Sequence, residues 1–317
     1  MTSVPLFACA ICSHEDGAVY HASEKMFGMG GSFNYFQCSA CHCLQIMNPP
    51  PNLAAYYPAE YYTNSAPPER SGLRRRLREL RNQGTFLSAS PLSRLLATRM
   101  EYPLRGARHW FEGLGVTRST RVLDVGCGDG MVVRDLAALG FTSVLGIDPF
   151  ASTSVALASG ARIERAYVRE ITGEFDVVMM NHSFEHVPNP LETLRAIAAR
   201  MHPQAWCIIR IPTVSSWAWE HYRENWVQLD APRHFFLHSL ESIALVAASA
   251  GLKVVRTDFD STEFQFMGSE QYVRGRTLQN LDAAFSSAEV RAYRAKANEL
   301  NAERRGDQIV CYMQLAG

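Results

Sequence analysis

Two cysteine pairs near the amino end, Cys9-Ala10-Ile11-Cys12 and Cys38-Ser39-Ala40-Cys41, set the first chemical constraint. A C-x2-C knuckle turns two thiolates toward one ion, and two knuckles supply the four soft donors that Zn2+ takes tetrahedrally. Four thiolates leave no open coordination position, so the pattern predicts a structural ion rather than a catalytic one. His14, His42 and Cys43 stand close by and leave the identity of the four donors open. The second constraint is Val122-Leu123-Asp124-Val125-Gly126-Cys127-Gly128-Asp129-Gly130, an apolar run entering a glycine turn and then a helical pattern. Glycines let the chain turn sharply and let a ligand approach the backbone, while the helix start offers free N–H groups. The spacing is G-x-G-x-G, not the G-x-G-x-x-G of dinucleotide sites, because Met131 follows Gly130. One strand later comes Asp148, a carboxylate able to accept hydrogen bonds from both hydroxyls of a ribose.

Taken together, the turn, Asp124 and Asp148 resemble motif I of the class I S-adenosylmethionine (SAM)-dependent methyltransferases, type 23-like. The resemblance implies SAM as co-substrate, held by Asp124, Gly126, Gly128, Gly130 and Asp148. The segment Asn181-His182-Ser183-Phe184-Glu185-His186-Val187-Pro188 resembles the family's Glu-His loop. It implies Asn181 as a cofactor contact, a loop-ordering role for Glu185 and His186, and His186 as second candidate base. Related quinone-modifying members hold a divalent metal here, but His182 stands where they have an acid. The segment Leu229 to Ser239 resembles one in sugar-modifying relatives, whose catalytic His maps onto His234; Ala231 replaces their neighbouring Tyr. A His suits a base that takes a proton from the accepting group. The Pro-rich Leu44 to Pro51 run and the Tyr56-Tyr57 and Tyr61-Tyr62 pairs resemble members with a zinc ribbon before the catalytic domain. Such members imply a small-molecule, sugar or lipid-linked glycan acceptor.

Strands alternating with helices must position these groups, and that alternation predicts a parallel sheet covered on both faces. The expected fold class is α/β, a Rossmann-like, mostly parallel seven-stranded sheet, plus a small N-terminal zinc-ribbon module. The expected strands are Arg121 to Val125, Ser143 to Ile147, a third within Arg162 to Glu170, Phe175 to Met180, Trp206 to Ile211, Leu252 to Thr257 and Gln308 to Leu315. The expected helices are Met131 to Leu139, one ending over Val155 to Ser159 before Gly160, and Pro190 to Met201. Further helices run from Ser239 to Gly251 and from Ser286 to Arg305. Trp217 to His238 reads as an aromatic lid without strand period, and the insertion Thr262 to Arg305 as an acceptor cover or a dimer contact. The ribbon takes residues 1–62, a linker and Arg-rich amphipathic helix 63–100, and the methyltransferase domain 101–317.

Formal net charge is zero over 317 residues, which removes a global pull toward nucleic acid or anionic membrane. The competing reading, a zinc-ribbon nucleic-acid binder with an RNA-modifying or silent SAM-binding domain, rests on the Arg74 to Arg81 run alone. Nothing at the amino end reads as a signal peptide and no run reaches the length of a membrane span. A cytoplasmic location follows as the expectation, with peripheral contact to a membrane-borne acceptor and homodimerisation left open.

Overall fold

The computed structural model describes residues 7–58, 109–151, 154–157 and 160–317. The linker and Arg-rich helix expected over 63–100 lie outside the described residues, as do residues 59–62 of the ribbon. In chain order the strands begin with β1 (Gly17–Ser23), β2 (Ser32–Cys38), β3 (Leu44–Ile46), β4 (Arg121–Val125), β5 (Ser143–Ile147) and β6 (Val155–Ala156). They continue with β7 (Arg162–Glu164), β8 (Phe175–Asn181), β9 (Met201–Pro212), β10 (Phe236–Leu237), β11 (Leu252–Phe259) and β12 (Gln308–Leu315). The α-helices are α1 (Met131–Leu139), α2 (Pro190–Ala198), α3 (Trp217–Tyr222), α4 (Leu240–Ser249), α5 (Phe264–Val273) and α6 (Ser287–Ala302).

The described chain divides into two compact units. One holds the described residues from 109 to Ser183 together with Arg195–Ile208. Its strands run in the order β9-β8-β4-β5-β7-β6, with β4 parallel to β5 and β8 and β5 parallel to β7. Strands β4, β5 and β8 are buried along nearly their whole length, as expected where both faces of a sheet are covered. Helix α1 buries Val132, Val133, Leu136 and Leu139, one helical stripe, and stops at Gly140 in the left-handed conformation. The fold class is therefore the expected α/β one.

Two details differ from expectation. Val155–Ala156 is not the end of a helix; it pairs antiparallel with β7, Val155 opposite Ile163 and Ala156 opposite Arg162. A glycine at positive φ after a short apolar run serves a hairpin turn as well as a helix end, and Leu157 N–H donating to Ala161 O (2.8 Å) makes the hairpin. This strand raises the count to eight. The second detail is β9, which begins at Met201, because helix α2 ends at Ala198.

The other unit holds the described residues through Pro58, Phe184–Leu194 and Ile209–Ala316. It contains Ile209–Pro212 of β9 and the antiparallel pair β11 and β12. It also contains a four-stranded antiparallel sheet, β1-β2-β3-β10. The aromatic stretch expected as an irregular lid is ordered by local caps: Ser216 Oγ accepts from Trp219 N–H to start α3. Its Trp219 and Trp226 share one core with Phe33, Tyr35, Leu44 and Ile46 of the ribbon segment. Helix α6 opens with a capping box in which Ser286 and Glu289 satisfy each other's backbone N–H. Among the described residues no helix is long and apolar enough to cross a membrane.

Candidate functional site

Strand β4 delivers the chain into the glycine turn at its carboxyl end, where open α/β sheets bind ligands. Gly126, Gly128 and Gly130 all have positive φ, at 76°, 52° and 77°. A Cβ on Gly126 would overlap the Ser183 side chain, and one on Gly130 would overlap Ile163. Among the described residues nothing lies within 4 Å of the same position at Gly128, so its backbone is the part of the turn a ligand can approach. Gly128 N–H donates to Asp148 Oδ2 (3.0 Å), and Phe150 N–H donates to Asp148 Oδ1 (2.7 Å). The carboxylate at the end of β5 is thus tied to the turn on β4, with lone pairs left for further donors.

Asp124 lies beneath this turn, fully buried. Burial and the neighbouring Asp148 charge push its carboxyl up to about 7. Its Oδ2 has no hydrogen-bond partner among the described residues. A buried polar atom without a partner is costly, so a donor supplied by a bound ligand fits this position. Two supporting residues escape the motif. Ser183 Oγ donates to Val125 O (2.8 Å) and closes the turn, and a Cβ on Gly146 would press on Val133 and Cys127 at 2.5 and 2.9 Å. Gly146 could have been read from its place opposite Asp124 in adjoining strands; Ser183 carried no signal. Asn181 ends β8.

The other unit brings Glu185, His186 and His234 together. The imidazole rings of His186 and His234 meet edge to face, centroids 4.7 Å apart. Because a carbonyl only accepts, His234 Nδ1–H donates to Gln228 O (2.7 Å), which leaves Nε2 as the nitrogen with the lone pair. Nε2 faces two carboxylates, Asp230 Oδ2 at 3.8 Å and Glu185 Oε1 at 4.0 Å. Burial, reinforced by His186, lowers the His234 pKa to about 4, so the ring is neutral at pH 7. His186 Nδ1–H donates to Arg233 O (3.0 Å) and lies 3.2 Å from the Tyr57 hydroxyl. One donor atom from each of Glu185, His186 and His234 falls within 4.8 Å of the others, a spacing that also admits a cation.

The Arg233 guanidinium is fully buried. Its Nε donates to both Asp230 oxygens (3.0 Å each), Nη1 to Tyr56 O (2.9 Å) and Nη2 to Glu24 Oε1 (2.8 Å). Burial works against ionising Asp230, yet the Arg233 hydrogen bonds and the nearby histidines hold its carboxyl below the ordinary range. Neither Glu24 nor Arg233 was singled out by the sequence.

The four expected thiols do converge. Cys9 and Cys41 Sγ lie 3.5 Å apart, Cys12 and Cys38 Sγ also 3.5 Å, and all four fall within 4.8 Å of one another. Tetrahedral Zn–S bonds of about 2.3 Å require S···S edges of about 3.8 Å, so the donor set fits Zn2+. Each knuckle closes alike: Ser13 N–H donates to Cys9 O and His42 N–H to Cys38 O, with Ser13 and His42 at positive φ. His42 is exposed, His14 bonds Ser39 Oγ, and Cys43 is buried toward Leu237 and His238, so these three stand apart from the cluster.

A family model described as a methyltransferase domain matches residues 73–257, more than half of the chain. The chain belongs to this methyltransferase family. That match supports its assignment to the class I SAM-dependent methyltransferases. It is 37% identical to the ubiquinone biosynthesis O-methyltransferase of Bordetella avium (strain 197N) over 117 residues, 33% of this chain and 47% of that protein. It is 33% identical to the protein of the same description from Escherichia coli O7:K1 over 125 residues, 36% of this chain and 48% of that one. The match thus spans about half the length of these curated relatives. The cyclopropane synthase MmaA2 from Mycobacterium tuberculosis matches in structure with a TM-score of 0.44 at 14% identity, covering 68% of this chain and 84% of that one.

Proposed function

We propose that this chain transfers a methyl group from SAM to a hydroxyl of a small acceptor, phenolic or sugar-like, with His234 as general base and His186 as second candidate. The observation that carries the reading is the Asp148 carboxylate bonded to Gly128 N–H, beside open space at Gly128. Asp148 accepts the ribose hydroxyls, and the backbone of Gly126 to Gly130 takes the amino-acid end, where Asp124 meets the ammonium group. Asn181 contributes a further polar contact. When bound, SAM supplies a methyl group activated by its sulfonium. The chain positions the acceptor and removes its proton, since a direct displacement asks little else of a protein. As the acceptor oxygen gains the methyl group, its proton passes to Nε2 of His234. Asp230 and Glu185, at 3.8 and 4.0 Å, stabilise the imidazolium that results. The Cys9, Cys12, Cys38 and Cys41 set holds a structural Zn2+, supported by its mutual S···S distances. The reading places the chain in the reducing cytoplasm, where these four cysteines stay available to the ion.

The test is direct. Titration calorimetry with S-adenosylhomocysteine should give micromolar binding that Asp148→Ala weakens at least tenfold. Label transfer from methyl-labelled SAM to a panel of phenols and sugars should be lost in His234→Ala, with binding intact. Absence of binding to the unaltered chain ends the proposal. Elemental analysis should return one zinc per chain, and none in Cys38→Ser.

A further inference from the structure

Glu24 lies between β1 and β2, in the cysteine-bearing segment and 209 positions before Arg233, yet its carboxylate is fully buried and committed. Oε1 accepts from Arg233 Nη2 (2.8 Å) and Phe27 N–H (3.0 Å), and Oε2 accepts from Met29 N–H (2.7 Å). Those two backbone bonds fix the carboxylate in a local turn, so it serves as a fixed post. Arg233 is held by that post, and its own atoms reach both imidazoles. Its carbonyl accepts from His186 Nδ1–H (3.0 Å), and its guanidinium grips Asp230 (Nη2 to Oδ1, 2.6 Å), whose other oxygen lies 3.8 Å from His234 Nε2. His234 is also the next residue in the chain, and its carbonyl accepts from Tyr35 OH (2.9 Å) on β2.

A buried ion triad is a poor source of stability, because apolar groups of similar volume generally serve as well. What such a triad supplies is a single geometry. We propose that Glu24 is a positioning residue for the His186–His234 pair, acting through Arg233, so that the cysteine-bearing segment sets the orientation of both imidazoles. This builds on the reading of His234 as the base, but the positioning itself is a property of the folded chain and can be measured without turnover.

The experiment uses the full chain with 15N-labelled histidine and long-range 1H–15N correlation spectra, the two rings being identified by His186→Gln and His234→Gln. The unaltered chain should show one tautomer at each ring, protonated at Nδ1. Glu24→Gln removes the charge of the post, and Arg233→Lys keeps the charge but cannot span Glu24, Asp230 and Tyr56 together. In both, the single-tautomer signals should give way to mixed or exchange-broadened ones, while S-adenosylhomocysteine affinity stays within about twofold. Unchanged tautomers in both variants overturn the proposal. So does loss of S-adenosylhomocysteine binding, since the post would then support the fold at large. If His234→Ala proves harmless to methyl transfer while Glu24→Gln still scrambles the tautomers, the base assignment fails and the positioning role stands.

Discussion

The glycine turn and the imidazole pair are built in opposite ways. The turn is made of backbone: positive φ at Gly126, Gly128 and Gly130, with one carboxylate latching it to the next strand. The imidazole site is made of side chains converging from distant parts of the chain, and its order depends on buried charges balancing one another. A backbone site tolerates change until a Cβ intrudes. A charge-balanced site fails as soon as one partner leaves.

The sharpest way to break this contrast is to remove the base. His234→Ala should lower methyl transfer about 100- to 10,000-fold, the usual range for a general base, with S-adenosylhomocysteine affinity unchanged. Equal loss of binding would show that His234 serves both sites. Next in size, Arg233→Met should destabilise the chain by about 3–5 kcal/mol in urea unfolding, because Glu24 and Asp230 would be left as buried, uncompensated charges. A neutral result would mean that water reaches the triad. In the turn, Asp148→Asn should cost about 1.5–3 kcal/mol of S-adenosylhomocysteine affinity, in line with hydrogen bonds to a charged group, and leave unfolding nearly unchanged.

The smallest effect is a difference in sign. His234 and His238 are lowered to about 4, chiefly by burial, so the unfolded chain binds protons that the folded chain refuses. Their unit should lose stability as pH falls from about 6.5 toward 4. Asp124 is raised to about 7, so the folded chain keeps a proton that the unfolded chain has lost. That contribution is present at low pH and disappears as pH rises through 7. Hydrogen exchange, corrected for its intrinsic pH dependence, should show protection around β4 and β5 holding while protection around β10 and α4 declines. A parallel decline in both places would contradict the assignment.

Local signals were legible in the sequence and distant ones were not. Strand β4, helix α1 and strand β12 fall where the residue pattern places them, since apolar runs and a terminal glycine act over a few positions. The zinc-type cluster was legible for the same reason, because each knuckle is its own turn. Val155–Ala156 reads as helix in the sequence because the glycine after it serves either ending, and the deciding partner, Ile163, lies outside the local pattern. His234 enters through resemblance, and its role as base is a proposal, whereas Glu24 carries no signal at all. Nothing in Ala22-Ser23-Glu24-Lys25 announces a buried carboxylate, and its partner is 209 residues away. Net neutrality argued against a nucleic-acid binder, and the one Arg-rich run that favoured it lies outside the described residues.

The two-residue strand β10 begins two positions after His234 and completes the sheet of the cysteine-bearing segment, Phe236 opposite Gln45 and Leu237 opposite Leu44. That edge makes the first 58 residues hard to shuffle. A homologue's ribbon grafted onto this chain would have to match register with β10, and a truncation before β4 would strip Leu237 and Trp219 of their packing partners. Recombination at this seam should therefore yield insoluble chimeras unless the break point carries β10 along with the ribbon.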